Sequence, residues 1–569
     1  MADKLNEYRR AVAPLPDHNR LWPLYGAGFE HLGRDGRPID VPMPLYGPDE
    51  LLVRHDACGL CFSDIKVISQ GEQHPRIFKD MRRDPVVLGH EVAMTVVGVG
   101  ERLRDQYPVG DRFIVQADIF SDGFGYAYGY MIQGGLSRYG VIDQRILNGD
   151  GGNYLLPVKP STGYAESALV EPWACVIAAY QLQYRSALKP SGTTWIIGAA
   201  GARSDYTIGA GFDASSHPAR LLLTNVPDSF AGWLKACAGP LGLDVIEVVD
   251  IAAPPVTPID DIVLLGADPD VIEAVSPHLA DQGILAIVAD DPLPRRIAVD
   301  IGRVHYNRWF YVGGRGADIA RAYSDVPARA QLKPGGLAWF VGAGGPIGHM
   351  HVQRAIQLAD GPATIVCTDV SDMRLRDLWA TFGAEARANG IDMICLNPSA
   401  AEAYADGMAA FEAQGFDDVI VLAPIPAVIA TAARYLAPAG VMNIFAGVGR
   451  GTLADLDLTQ VYRNNIRVIG HSASTIDDLR EMLRQTEAGE LSTARSVAAI
   501  GSLSAARDGL RALQEAAYPG KVVIFPQLHD LPLTMLADLK DILPGVYAKL
   551  KNGRGWTNEA EAELFRELL

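Results

Sequence analysis

The sequence predicts an α/β protein: a β-rich first part followed by two tandem doubly wound parallel-sheet folds. Three observations carry this. From Tyr180 onward, apolar strand-type runs alternate with helical stretches, the pattern of a parallel sheet covered by helices. Before that point, short β-type runs at residues 51–55 and 112–115 lie among Gly- and Pro-rich loops. The α/β half also repeats itself. Residues 188–204 (LKPSGTTWIIGAAGARS) align with residues 332–348 (LKPGGLAWFVGAGGPIG), 144 positions on, and Thr224-Asn225-Val226 meets Thr368-Asp369-Val370 at the same offset. Val304, Asn307 and Gly313 match Val461, Asn464 and Gly470 at an offset of 157, so the second copy carries 13 more residues in between.

Each element of the second copy has a mechanical use. Residues 337–341 form an apolar strand, the turn Gly342-Ala343-Gly344-Gly345-Pro346-Ile347-Gly348 follows, residues 349–358 read as a helix, and a second strand ends at Asp369. This is the order of a dinucleotide-binding unit. Gly342 permits the tight turn, Gly344 lets the backbone approach a pyrophosphate, and Gly348 lets helix and strand pack. One residue more than GxGxxG precedes Gly348, which leaves its role the least defined. The helix N-terminus offers N–H groups to the phosphates. Asp369 stands where a carboxylate accepts the ribose hydroxyls and repels a 2′-phosphate, which favours NAD over NADP. A glycine-rich turn in some other α/β protein is the plainer alternative, and the ordered context argues against it.

The copies are not equivalent. Ala200, Ser204 and Asn225 replace Gly344, Gly348 and Asp369, and residues 204–218 lack a helical stripe. Copy one reads as a structural or regulatory duplicate without bound NAD. A second site of altered preference is the competing reading.

Bulk properties set limits. At 569 residues the chain exceeds a single core, and about three domains are expected. The net charge of −17 argues against a nucleic-acid backbone as partner. No stretch is apolar enough for a membrane span, and residues 1–18 show no secretory leader. Six scattered cysteines fit a reduced cytoplasmic protein better than a disulfide framework.

The first part holds three motifs: Cys58-Gly59-Leu60-Cys61-Phe62-Ser63-Asp64, Gly89-His90-Glu91, and Glu171-Pro172. No second CxxC follows, so a four-cysteine zinc site is not expected. Cys, His and Glu suit a catalytic zinc with one position left open. Taken singly, Cys61 reads equally as a small core residue, His90 as a satisfied buried imidazole, and Glu171 as a helix N-terminal acid.

Together these motifs resemble the zinc-dependent medium-chain dehydrogenase/reductase family, in its sorbitol dehydrogenase and L-sorbose-1-phosphate reductase-like branch. The resemblance covers residues 40–180 and 330–526. It also includes Val109-Gly110-Asp111-Arg112-Phe113 and the late strand Gly520-Lys521-Val522-Val523-Ile524. It implies a GroES-like catalytic domain plus two tandem Rossmann domains. Cys61 and His90 would bind zinc, with Glu91 or Glu171 completing the set. Ser63 would take the substrate hydroxyl's proton, and Asp64 would hold the far ring nitrogen of His90. The family's four-cysteine structural zinc lobe is absent, because residues 116–139 contain no cysteine. Lys66 stands where some relatives carry a relay histidine, a departure from the family's outer proton path.

The expected division is residues 1–180 (GroES-like zinc domain), 181–325 (degenerate Rossmann copy), 326–470 (NAD-binding Rossmann domain), 471–526 (return to the first domain) and 527–569 (helical tail). The expected activity is NAD-dependent, zinc-dependent hydride transfer to or from a polyol, sugar or sugar phosphate, by a homo-oligomer, with the nicotinamide in a cleft beside the first domain. The basic run at residues 76–83 is a candidate phosphate contact, or a solvated loop paired with Asp80 and Asp84. A non-catalytic NAD sensor or scaffold is the alternative from another class.

Overall fold

The computed structural model describes residues 4–200, 202–324 and 329–569, and the expected boundary between the copies, at 325/326, lies outside them. Strand β1 (Leu51–Gly59) is buried along its whole length. It is followed by helix α1 (Phe62–Gln70) and by β2 (Glu91–Val99), which pairs antiparallel along one edge of β1. Strand β3 (Arg112–Val115) extends the sheet beyond β2. Strand β4 (Tyr139–Ile142) takes the other edge of β1 at Leu51–Arg54, and β5 (Leu155–Pro157) closes the far side on β3. Two short helices, α2 (Tyr164–Ala168) and α3 (Val170–Ala178), lead out. Alternate apolar side chains of these strands, Leu51, Val53, Val92, Met94 and Val115 among them, form one core. Buried beside that core is the imidazole of His55, which is partnered at both ring nitrogens. The His55 Nδ1–H donates to the Ser137 carbonyl at 2.9 Å, which fixes the tautomer, and Nε2 accepts the Tyr128 hydroxyl at 2.7 Å.

The first α/β copy comprises β6 (Thr193–Gly198), β7 (Arg220–Thr224), α4 (Asp228–Leu241), β8 (Asp244–Glu247), β9 (Ile259–Leu265), β10 (Leu279–Val288), β11 (Ile297–Asp300) and β12 (Phe310–Gly314). The second comprises β13 (Leu337–Val341), α5 (Pro346–Gln357), β14 (Thr364–Thr368), α6 (Asp372–Ala388), β15 (Asp392–Leu396), β16 (Phe416–Val421), β17 (Leu436–Ile444), β18 (Leu453–Leu456) and β19 (Arg467–Ile469). Each forms a six-stranded sheet of the same order, β8-β7-β6-β9-β10-β12 and β15-β14-β13-β16-β17-β19, all parallel. The repeat reaches individual bonds: Trp195 Nε1 donates to Thr224 Oγ1 at 3.0 Å, and Trp339 Nε1 to Thr368 Oγ1 at 3.0 Å.

Two features distinguish the copies. Among the described residues no helix joins β6 to β7, whereas α5 joins β13 to β14. Strands β11 and β18, outside both sheets, pair antiparallel with each other: Ile297 faces Leu456, Ala298 faces Asp455, and Val299 faces Ala454. At the offset of 157, Ile297 corresponds to Ala454 and Val299 to Leu456, so this ladder has pseudo-twofold symmetry about the Ala298–Asp455 pair.

The chain then returns to the first sheet with β20 (Val497–Ser502), β21 (Lys521–Phe525) and β22 (Thr534–Met535), and ends in α7 (Asn558–Leu568). Strand β21, expected from its apolar run, pairs with β1 at Cys58 and Gly59 and runs parallel to β20. The tail expected to be helical carries helices and, in addition, one short strand. Thr534 and Met535 add a strand on the open edge of β20, where unpaired backbone groups seek partners. Helix α7 docks through the buried Glu561, whose carboxylate accepts the N–H groups of Tyr164 and Ala165 at 2.6 and 2.8 Å, at the start of α2. Two compact units result: Met1–Ile177 with Gly345–Met350 and Ser474–Leu569, and Ala178–Gly344 with His351–Ala473.

Candidate functional site

Cys61 caps α1. The Asp64 carboxylate in the first helical turn accepts the Cys61 N–H at 2.9 Å, which stabilises the helix start and fixes the thiol at its tip. His90 and Glu91 open β2, beside the end of β1. The ligand atoms of Cys61, His90 and Glu91 lie within 4.8 Å of one another. Gly59 makes room for this group, since a Cβ there would stand 2.1 Å from Glu91 Oε2. The His90 ring is buried, with Nδ1 3.4 Å from Asp64 Oδ1. Burial works against its charge, but Asp64 and Cys61 outweigh it and raise the imidazole pKa well above the ordinary value. Ser63 sits next to the thiol, with Cys61 Sγ 3.6 Å from its hydroxyl.

Lys521, 430 positions from Glu91 in sequence, completes the arrangement. Its buried ammonium donates to Glu91 Oε1 and to the Leu60 carbonyl at 2.8 Å. Glu91 Oε2 is buried without a hydrogen-bond partner among the described residues. Glu171, in the first turn of α3, lies outside the close group. Burial raises its carboxyl pKa to about 7, the negative Glu91 adds to the shift, and His90 and Lys521 oppose it. The two glutamates left open by sequence are thereby separated: Glu91 stands with the thiol and imidazole, Glu171 beside them. A thiolate, an imidazole and a carboxylate at this spacing, with an orphaned buried carboxylate oxygen, fit a borderline-soft divalent ion such as zinc. Cys58 is fully buried and belongs to the core rather than to this group.

Sequence reasoning missed Lys521 and Tyr130. The Tyr130 ring lies 6.1 Å from that of His90 and carries Arg76 over its face at 5.5 Å. A lysine opening an otherwise apolar strand was the available signal for the first; nothing in the sequence marked the second. The basic run is largely neutralised: Arg76 pairs with Asp118 at 2.6 Å, Lys79 with Asp84 at 3.2 Å, and Arg83 with Asp80 at 3.5 Å.

In copy two the turn after β13 adopts the expected form. Gly342 has φ +84°, and its N–H and that of Ala343 donate to the Thr368 carbonyl at 2.8 and 2.9 Å. A Cβ on Gly344 would meet Asp369 Oδ2 at 2.8 Å, while one on Gly345 would meet nothing within 4 Å. The backbone there is open to an approaching phosphate, so the cradle fits a dinucleotide. Helix α5 starts at Pro346, three residues before the expected start, because proline is pre-set for a first helical position. Ile347 and Gly348 consequently lie in its first turn. Asp369 follows β14, with Oδ2 accepting the Gly344 N–H at 3.0 Å and Oδ1 the Ser371 N–H at 3.0 Å. In copy one, among the described residues, no helix follows the equivalent strand, β6, before β7 begins.

Comparison with known proteins agrees with this geometry. Residues 47–148 match the family described as alcohol dehydrogenase GroES-like domain, and residues 346–488 match that described as zinc-binding dehydrogenase. The chain is 27% identical over 331 residues to a mannitol-1-phosphate 5-dehydrogenase of Aliivibrio fischeri, covering 53% of this chain and 77% of the relative. It is 26% identical over 309 residues to an L-sorbose 1-phosphate reductase of Klebsiella pneumoniae, covering 50% and 74%. The fold is similar to that of 2R,3R-butanediol dehydrogenase from Bacillus subtilis, with TM-score 0.50 and 16% identity over 90% of this chain and 100% of that one. Among the described residues no helix is long and apolar enough to cross a membrane.

Proposed function

We propose that the chain is a zinc-dependent member of the medium-chain dehydrogenase/reductase family, an oxidoreductase of the alcohol class that interconverts a secondary alcohol and a ketone of a polyol, sugar or sugar phosphate, using one zinc ion and NAD. The observation that carries the reading is the convergence of Cys61, His90 and Glu91, drawn from two separate motifs, within 4.8 Å. Cys61, His90 and Glu91 would hold the metal, with Glu171 beside them as the exchangeable carboxylate. Bound there, zinc supplies Lewis acidity toward the substrate oxygen, and NAD supplies the hydride acceptor.

The remaining work falls to the chain's own groups. Ser63 takes the proton of the substrate hydroxyl. Asp64 orients His90 through Nδ1 and fixes the ring nitrogen that faces the cluster. Lys521 donates to Glu91 and holds its carboxylate in place. Residues 342–348 hold the dinucleotide pyrophosphate, and Asp369 selects the unphosphorylated ribose. The named activities of the two sugar-phosphate relatives support a phosphorylated substrate, while the pairing of Arg76 with Asp118 leaves the phosphate contact open to competition.

Metal analysis of purified protein, together with NADH absorbance over a panel of polyols and sugar phosphates, tests this. About one zinc per chain and metal-dependent turnover are expected, both lost in Cys61→Ala. Full turnover of a zinc-free Cys61→Ala protein would overturn it. So would absence of metal and turnover from the native chain, which would favour the sensor reading.

A further inference from the structure

Two cysteines outside the active-site group face each other in copy two. Cys367 on β14 and Cys395 on β15 are direct register partners in the parallel ladder. Neighbouring strands lie about 4.8 Å apart, within the roughly 4.4–6.8 Å Cα range that a disulfide spans. Both cysteines are free thiols; Cys367 is fully buried and Cys395 partly exposed. A hydrogen bond from the Cys367 thiol lowers the Cys395 pKa against the opposing effect of burial, so Cys395 is the more nucleophilic of the two.

Their place in the fold gives the pair a consequence. Thr368, next to Cys367, accepts the N–H groups of Gly342 and Ala343, and Asp369 accepts that of Gly344. The end of β14 therefore holds the glycine turn in shape. Copy one, which has Asn225 in place of the ribose acid and no equivalent helix among the described residues, carries Leu223 opposite Glu247 at the equivalent register. The dithiol occurs only in the copy that retains the dinucleotide features.

We propose that Cys367 and Cys395 form a reversible dithiol–disulfide pair, oxidised by small hydroperoxides, that weakens dinucleotide binding to copy two when closed. The Cys395 thiolate attacks the outer oxygen of ROOH, the O–O bond breaks, and ROH leaves with a proton. The Cys367 sulfur then attacks the Cys395 sulfenic sulfur and expels water. In sum, two thiols and one hydroperoxide give one disulfide, ROH and water, with two electrons passing from sulfur to oxygen. A disulfide holds its Cβ atoms about 3.8 Å apart, closer than side chains on adjacent strands normally stand, so closure draws the end of β14 toward β15 and away from the turn. Bonds formed under such strain are easily reduced, and a small dithiol reverses this one.

The effect on binding rests on the cofactor reading above, and the site of oxidation does not. The test treats reduced full-length protein with one equivalent of hydrogen peroxide, maps tryptic peptides without reduction, and titrates NAD by fluorescence before and after. Cleavage at Arg374, Arg376 and Arg387 separates the two cysteines. The expected result is a peptide linked through Cys367 and Cys395 and an NAD affinity at least about fivefold lower, both reversed by dithiothreitol. Cys395→Ser should bind NAD as the reduced protein does and keep that affinity after peroxide. No linked peptide, or oxidation at Cys61 in its place, overturns the dithiol assignment. A linked peptide with unchanged NAD affinity overturns the control of binding. Reduced protein that fails to bind NAD removes the cofactor reading and the control with it, while the peptide map still decides the dithiol.

Discussion

Lys521 and Glu91 are an ammonium and a carboxylate taken out of water together, and each is tolerable only because of the other. Lys521→Met leaves the carboxylate uncompensated and should lower stability by about 3–5 kcal/mol in metal-stripped protein, read by urea unfolding. Glu91→Leu/Lys521→Met should recover most of that loss. A single variant as stable as the native protein would mean the lysine does not hold the charge of Glu91. His55 makes a second stability statement. Burial lowers its pKa from 6.5 to about 4, partly opposed by the Ser137 carbonyl. Below pH 6.5 the unfolded chain takes up a proton that the folded chain refuses. Stability should therefore fall as the pH drops from about 6.5 to 4, by up to about 3 kcal/mol from this group. His55→Gln, compared across that window, should show a slope smaller by about one proton. The ligand set was legible because Cys61, His90 and Glu91 stand in short motifs. Lys521 was not, because its role exists only once β21 pairs beside β1.

At the scale of elements, the two copies form an internal control. Asp369→Ala removes the ribose acceptor, so NAD affinity should fall by about tenfold or more and NADP use should rise, as measured by titration with each dinucleotide. Asn225→Ala, at the equivalent position of copy one, should change neither. Nucleotide binding governed by Asn225 would reverse the assignment of the copies. Strand, turn, helix and acid could be read from sequence because each leaves a local signature: apolar runs, glycines, and the stripe that residues 204–218 lack. The helix start was misplaced by three residues, since Pro346 reads as part of the turn until its position as a first helical residue is seen. The strand at Thr534–Met535 left no trace, because two residues carry no periodicity and only the free edge of β20 makes them a strand.

At the scale of the whole molecule, the β11–β18 ladder joins the copies within one chain. Ala298→Cys/Asp455→Cys, at the centre of the pseudo-twofold, should close a disulfide whose product runs as a single chain on a non-reducing gel. A product of twice the mass would show that the pairing occurs between chains. The same symmetry relates Phe310 on β12 to Arg467 on β19, and here the correspondence breaks in an instructive way. The Arg467 guanidinium is buried, held by the Val461 and Ile466 carbonyls, and lies over the Phe310 ring at 6.0 Å. Two identical subunits related by a true dyad would have to present arginine to arginine, or phenylalanine to phenylalanine, at this position. Duplication within one gene lifts that requirement of self-compatibility. Each face can specialise against a neighbour that is not its twin, and a cation can be seated on an aromatic ring where a symmetric assembly would force like against like.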